Sequence, residues 1–96
     1  MLTTKQRTKK ISYLDLKVND KLRFHPVSME LEVERITDGD LTFKVFTMFE
    51  GREIRLKSGS YMPIGDIIIH NLGRRGYGNR CHMELAYPSN YSYTRY

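Results

Sequence analysis

Apolar and polar residues alternate along most of this chain with the period of two that is typical of β-strands. The clearest run begins at Met29, where Met29, Leu31 and Val33 alternate with three glutamates. Similar alternation recurs in the stretches 16–24, 41–49, 53–57 and 80–87, whereas 66–70 is apolar on both faces and predicts a central strand. No apolar pattern has the period of a helix of normal length. The pattern therefore predicts an all-β chain of five or six short strands.

Turn-forming residues separate the predicted strands. Asp38-Gly39 and Glu50-Gly51 predict tight hairpins, because glycine supplies the positive φ that such turns need. Ile36 is out of phase with the preceding apolar positions by one residue, which predicts a β-bulge near Arg35. The capping pattern of residues 12–15, SYLD, predicts a single helical turn.

Short strands with turns every 8–12 residues or so predict a small antiparallel β-barrel, because closure removes exposed sheet edges. We expect a flexible basic arm over residues 1–11, one barrel domain over 12–87, and a polar, tyrosine-rich tail over 88–96. The same segments fit either an SH3-like or an OB-like strand order.

The segment from Asp15 to Phe24, DLKVNDKLRF, resembles the D-L-x-V-G-D-x-V-x-F entry of SH3-like small barrels, which include KOW-type and Tudor-type modules. The resemblance extends over about residues 14–70, with Asn19 at a position where glycine is usual. It implies an SH3-like barrel with the broad habit of binding nucleic acid or peptides. No aromatic cage matches, so recognition of methylated ligands is not implied.

Positive charge is concentrated at the two ends of the chain. The 96 residues carry a formal charge of +5, made up of +4 in residues 1–14, −2 in 15–70 and +3 in 71–96. Such terminal charge attracts polyanions or acidic proteins. Glu30, Glu32 and Glu34 predict an acidic face that points away from a polyanion and protects a sheet edge.

Several classes of function find no support in the sequence. Cys81 is the single cysteine, and we expect it to be a small core residue. Because one cysteine cannot form an intrachain disulfide, we predict a reducing, cytoplasmic compartment for the protein. No apolar run is long enough to span a membrane, and no leader peptide is predicted. The chain has neither metal-ligand spacing nor a phosphate-cradling motif, and no carboxylate pair stands in an apolar pocket. We therefore predict a non-enzyme without metal or cofactor.

The segment Gly73–Arg80, GRRGYGNR, is the strongest candidate for a binding site and lies in a predicted glycine-rich loop, 71–79. Arginine forks match phosphate oxygens, and a tyrosine ring stacks on a base. The predicted ligand is DNA or RNA, contacted mainly through its phosphates. The predicted nucleic-acid-binding residues are Lys5, Arg7, Lys9, Lys10, Arg74, Arg75, Tyr77, Arg80, Tyr91 and Arg95.

Two alternatives remain open at this point. The chain is also compatible with a protein-interaction module, such as a small phage-encoded regulator or inhibitor that docks on an acidic surface of a larger protein. Its predicted anchors are Phe46, Met48, Tyr93 and Tyr96. A homo-oligomer formed through an exposed strand edge is the other alternative.

Overall fold

A computed structural model describes residues 3–7, 10–25, 29–46, 51–86 and 91–96, with side chains from residue 13 onward. These residues form ten strands and contain no helix, which confirms the all-β prediction. The strands are β1 (Thr3–Arg7), β2 (Lys10–Leu16), β3 (Lys21–His25), β4 (Met29–Thr37), β5 (Asp40–Phe46), β6 (Gly51–Leu56), β7 (Tyr61–Ile64), β8 (Ile67–Arg75), β9 (Gly78–Leu85) and β10 (Tyr91–Arg95).

The strands form two antiparallel sheets. Sheet A has the order β1-β10-β3-β4-β5-β6, and sheet B has the order β2-β9-β8-β7. The two sheets are not closed into a barrel, so the prediction of a five- to six-stranded barrel is wrong in its closure and in its strand count. The additional strands are β1, β2, β7 and β10. β7 pairs with the strand that follows it, whereas β1, β2 and β10 pair with strands distant in sequence.

Both terminal segments belong to the sheets. β10 lies between β1 and β3, with Thr3 opposite Arg95 and Phe24 opposite Tyr93. The described residues of the predicted arm and tail therefore lie in strands, except Tyr96. The predicted helical turn is also wrong, because residues 12–15 lie within β2 and pair with β9.

The core lies between the two sheets, and its residues alternate along β4 and β9 as predicted. Leu41, Phe43 and Val45 of β5 are buried, as are the alternate positions Cys81, Met83 and Leu85 of β9, with Met83 fully inaccessible. The other buried hydrophobic residues are Leu16, Leu22, Phe24, Met29, Leu31, Val33, Leu56, Ile64, Ile67, Ile69, Tyr91 and Tyr93. Burial of one face of each strand fixes the register of both sheets.

Local turn chemistry follows the sequence in several places. Asp38 and Gly39 adopt φ values of 53° and 84° between β4 and β5, which confirms the predicted tight hairpin. The register shifts between Val33 and Arg35, which confirms the predicted bulge. Asn19 has a φ of 77°, a conformation that asparagine tolerates better than most residues. The second predicted hairpin is wrong in its details, because Gly51 lies within β6, opposite Phe46, and Glu50 lies outside the described residues.

Two buried asparagines link the sheets at one end. The Asn71 amide donates to the carbonyl oxygens of Gly39 at 2.8 Å and Leu56 at 3.0 Å, both in sheet A or its turn. The Asn79 amide donates to Gly39 O and, at 3.0 Å, to Asn71 Oδ1. The backbone N–H of Gly73 donates to the same Asn71 oxygen at 3.0 Å. We call these contacts the buried amide network.

Loss of this network should destabilise the fold. We expect Asn71→Leu to lower the free energy of unfolding by about 2–4 kcal/mol, because Leu56 O loses this buried donor and the Gly73 N–H and Asn79 amide lose their shared acceptor. Urea denaturation measures the effect. The exposed Asn19→Gly variant is the control, and it should change the value by no more than about 0.5 kcal/mol. Equal effects in the two variants would contradict a structural role for the network.

Candidate functional site

The arginine-rich segment lies at the tip of the β8–β9 hairpin. The predicted nine-residue loop is wrong, because β8 continues to Arg75 and β9 begins at Gly78. A register shift between Asn71 and Arg74 accommodates the irregular sequence, and the buried amide network holds both strands from below. The hairpin is thus a paired structure that presents its tip residues at defined positions.

The tip brings together most of the predicted binding side chains. Arg74 and Arg75 are exposed, and Tyr77 is 91% exposed. Arg80 follows on β9, and its guanidinium carbon lies 5.5 Å from the centre of the Tyr13 ring. Three arginines and a fully available tyrosine ring therefore share one hairpin, which is a chemistry suited to phosphate and base contacts.

The base of the tip is packed tightly against β2. A Cβ atom at Gly78 would lie only 2.5 Å from the carbonyl oxygen of Leu16, so no larger residue fits there without a backbone shift. This glycine therefore allows close approach of the hairpin to β2. The contact fixes the tip relative to the outer face of sheet B.

A row of four rings crosses that outer face. Tyr13, His82, His70 and Tyr61 come from β2, β9, β8 and β7 and lie directly opposite one another in the sheet register. Their successive ring centroids are 4.4, 5.4 and 5.4 Å apart, with interplanar angles of 28°, 37° and 34°. These spacings follow the distance between neighbouring strands, about 4.8 Å. We call these residues the ring row.

Glu84 contacts both histidines of the ring row. Its Oε1 lies 3.0 Å from His70 Nε2, and its Oε2 lies 3.8 Å from His82 Nε2. The carboxylate thus forms a hydrogen bond with His70 and a longer contact with His82 on the sheet surface. Within the described ranges, no group of three or more His, Cys, Asp and Glu residues is arranged to hold a metal ion.

The ring row was not predicted from the sequence. Alternation within each strand shows that His82 is on the opposite face from Cys81, as the structure confirms. Nothing local in the sequence places Tyr13 or Tyr61 beside a histidine, because that depends on which strands pair. The one sequence feature that could have indicated the ring row is that every strand of sheet B carries an aromatic or histidine residue on its outward face.

Two predicted tyrosine contacts are wrong because the rings are buried. Tyr91 and Tyr93 are 8% and 1% exposed on the inner face of β10. The Tyr91 hydroxyl donates to Asp66 at 2.7 Å. Tyr91 therefore has no ring face for a base, and Tyr93 is not available as a docking anchor.

Other predicted residues lie away from the hairpin tip. Arg95 is partly buried on β10 and donates to the carbonyl oxygen of Asp15 at 3.4 Å. Tyr96 is 44% exposed, and the hydrogen bond that its hydroxyl donates to Glu30 raises the pKa of this tyrosine. Phe46 is partly buried, with Lys44 Nζ 5.9 Å from its ring centre.

The N-terminal basic residues are only partly described. Lys5 and Arg7 lie on β1, and Lys10 begins β2. Lys9 and the predicted docking residue Met48 lie outside the described residues. The structure thus places the backbone of three predicted bases within the sheets.

The glutamate stripe is not on a sheet edge, which corrects that prediction. β4 lies between β3 and β5, where each glutamate has basic neighbours. Glu30 lies 3.7 Å from Arg23 and Glu34 lies 3.8 Å from Lys44. Glu32 is opposite Lys44 on one side and a lysine of β3 on the other. Cross-strand bases therefore offset much of the acidic charge on this face.

A shallow groove of about 220 Å³ lies on sheet A, lined by Arg35, Thr37, Asp40, Thr42 and Arg55. Both arginines already have acidic partners. Arg55 lies 2.6 Å from Asp40, and Arg35 lies 3.2 Å from a glutamate of β6. A backbone N–H of the next turn and the Arg55 guanidinium hold the pKa of Asp40 below its usual value. The paired charges make this groove a weaker candidate than the hairpin tip.

Searches of family models, curated proteins and solved structures find no match for this chain. Among the described residues, no helix is long and apolar enough to cross a membrane. Function has therefore to be inferred from the residues and their arrangement.

The buried thiol of Cys81 should be unreactive in the folded protein. Burial, with a smaller contribution from Asp15, raises the pKa of the Cys81 thiol from 9.0 to about 12. We expect no reaction with a thiol-specific disulfide reagent at pH 8 until urea unfolds the chain. Equal rates in the folded and unfolded states would contradict this prediction.

The same pKa shift gives a pH dependence of stability. Between pH 9 and 12 the folded thiol keeps its proton while the unfolded thiol loses it, so stability should fall as pH rises. The slope contributed by this one group is at most about 1.4 kcal/mol per pH unit. Urea denaturation over this pH range should show a smaller decline for Cys81→Ala than for the wild type.

Proposed function

We propose that this protein is a non-catalytic nucleic-acid-binding domain that contacts phosphates through the β8–β9 hairpin. The observation that carries the proposal is the grouping of Arg74, Arg75 and the 91%-exposed Tyr77 at one tip, with Arg80 beside it. Guanidinium groups bind phosphate oxygens with two parallel hydrogen bonds, and the tyrosine adds a stacking surface.

The surroundings of the hairpin support the proposal. The tip arginines have no carboxylate within salt-bridge distance among the described residues, whereas those of the sheet A groove are paired with acids. The basic residues of β1 and β2 supply further positive charge for a polyanion.

Protein docking is less favoured as the primary role. Of its predicted anchors, Tyr93 is buried and Phe46 is partly covered by Lys44.

A single buried thiol suits a reducing compartment, so we place the proposed activity in the cytoplasm.

The proposal predicts that the protein binds nucleic acid in a salt-dependent way and that the hairpin arginines are responsible for most of the affinity. Fluorescence anisotropy with labelled single-stranded DNA, duplex DNA and RNA should show affinity falling steeply as salt rises. The variant Arg74→Ala/Arg75→Ala/Arg80→Ala should bind weakly and lower the slope of log affinity against log salt by about 2–3, since each lost phosphate contact removes about 0.7–0.9.

A matched control removes the same charge from sheet A. Arg23→Ala/Arg35→Ala/Arg52→Ala changes three exposed arginines on other strands and should keep most of the affinity and slope. Equal losses in the two triple variants would show that only net charge matters, and would contradict a site at the hairpin. Absence of binding by the wild type to all three probes would overturn the proposal.

A further inference from the structure

We infer that the nucleic acid bound by the hairpin is single-stranded, and that one of its bases stacks on Tyr61 at the end of the ring row. The inference rests on the proposed function but uses a different part of the surface. The hairpin supplies charge, whereas the ring row supplies an aromatic face for an unpaired base.

The arrangement of the rings shows where a base has room to stack. Neighbouring rings are inclined by only 28–37° at centroid distances near the strand spacing, so they stand side by side across the sheet. His70 has Tyr61 on one side and His82 on the other. The two imidazoles inside the row therefore expose only their edges to the solvent. A base can stack only on a ring face at an end of the row.

Tyr61 provides the accessible end. Its side chain is 66% exposed, and β7 is the last strand of sheet B. Among the residues that the structure describes, no further strand of the sheet flanks the ring face turned away from His70. A base placed there would continue the row as one more ring.

This geometry favours a single strand over a duplex. In a duplex each base already stacks on its neighbours and pairs across the helix, so its face is not available to a tyrosine. Unpaired bases stack on aromatic side chains with little dependence on sequence. The ligand class is therefore a flexible single strand with at least one base free to leave its neighbours.

Charge on the same surface is compatible with a phosphate backbone. Arg80 lies next to the Tyr13 end of the row, and the hairpin tip lies beyond it. The carboxylate of Glu84 is engaged by the two imidazoles, and Asp15 lies opposite Arg80 in the sheet register. Arg80 is two strand spacings from Tyr61 across the sheet, about 10 Å, and two residues further along β9, about 7 Å, so a single strand of a few nucleotides can reach from Tyr61 to Arg80.

A tryptophan substitution tests this contact directly. The chain contains no tryptophan, so Tyr61→Trp introduces a unique fluorophore that keeps an aromatic face at the site. We expect an oligothymidylate of about 12 nucleotides to quench its fluorescence on binding, and a duplex of the same length to leave it nearly unchanged. Tyr61→Leu should weaken binding of the oligothymidylate about tenfold, with an unchanged salt slope.

Tyr96 provides the matched controls. It is an exposed tyrosine at the end of β10 in sheet A, away from the ring row. Tyr96→Trp should show no quenching, and Tyr96→Leu should bind the oligothymidylate like the wild type. Similar urea midpoints for the paired variants exclude a difference in folding.

The outcomes separate this inference from the proposed function. Salt-dependent binding that is equally tight for duplex and single strand, without quenching at position 61, would overturn the inference and leave the proposed function standing. Absence of salt-dependent binding to every nucleic-acid probe would overturn both. Quenching at position 61 with a tenfold loss in Tyr61→Leu supports both.

Discussion

The carbonyl oxygen of Gly39 accepts hydrogen bonds from two side-chain amides, Asn71 and Asn79, in a region that water does not reach. A buried carbonyl without a donor is costly, so these bonds constrain how the sheets meet. They tie the β4–β5 turn and the end of β6 in sheet A to β8 and β9 in sheet B. This constraint positions the β8–β9 hairpin together with the close packing of Gly78 against β2.

The same constraint sets the outer surface of sheet B. Successive side chains of a strand point to opposite faces, so inward placement of Asn79 and Cys81 requires Arg80, His82 and Glu84 to point outward. A slip of one residue along β9 would bring the charged and imidazole side chains into the core and expose the apolar ones. Core packing and the presentation of the ring row are therefore parts of one register.

The fold was predictable where the sequence carries local alternation and turn residues. β4, β5 and β9, the turn at Asp38-Gly39 and the bulge before Arg35 all follow from patterns within about ten residues. The terminal strands were not predicted from the sequence. In β10, serine, threonine and tyrosine make the segment look polar, although Tyr91 and Tyr93 are buried on one face. The predicted loop 71–79 also failed, because its glycines serve a bulge and a close approach to β2 within a paired hairpin.

The sequence by itself determined the all-β fold class, many of the core residues, and the presence of arginines and a tyrosine at the hairpin tip. These features depend on residues that are near neighbours in the chain. Only the tertiary structure decided that Tyr91 is buried and that Tyr13, His82, His70 and Tyr61 form one row. Those arrangements depend on pairing between segments distant in sequence. Hydrogen bonding across the sheets and burial of the shared core select that pairing, and no local pattern encodes it.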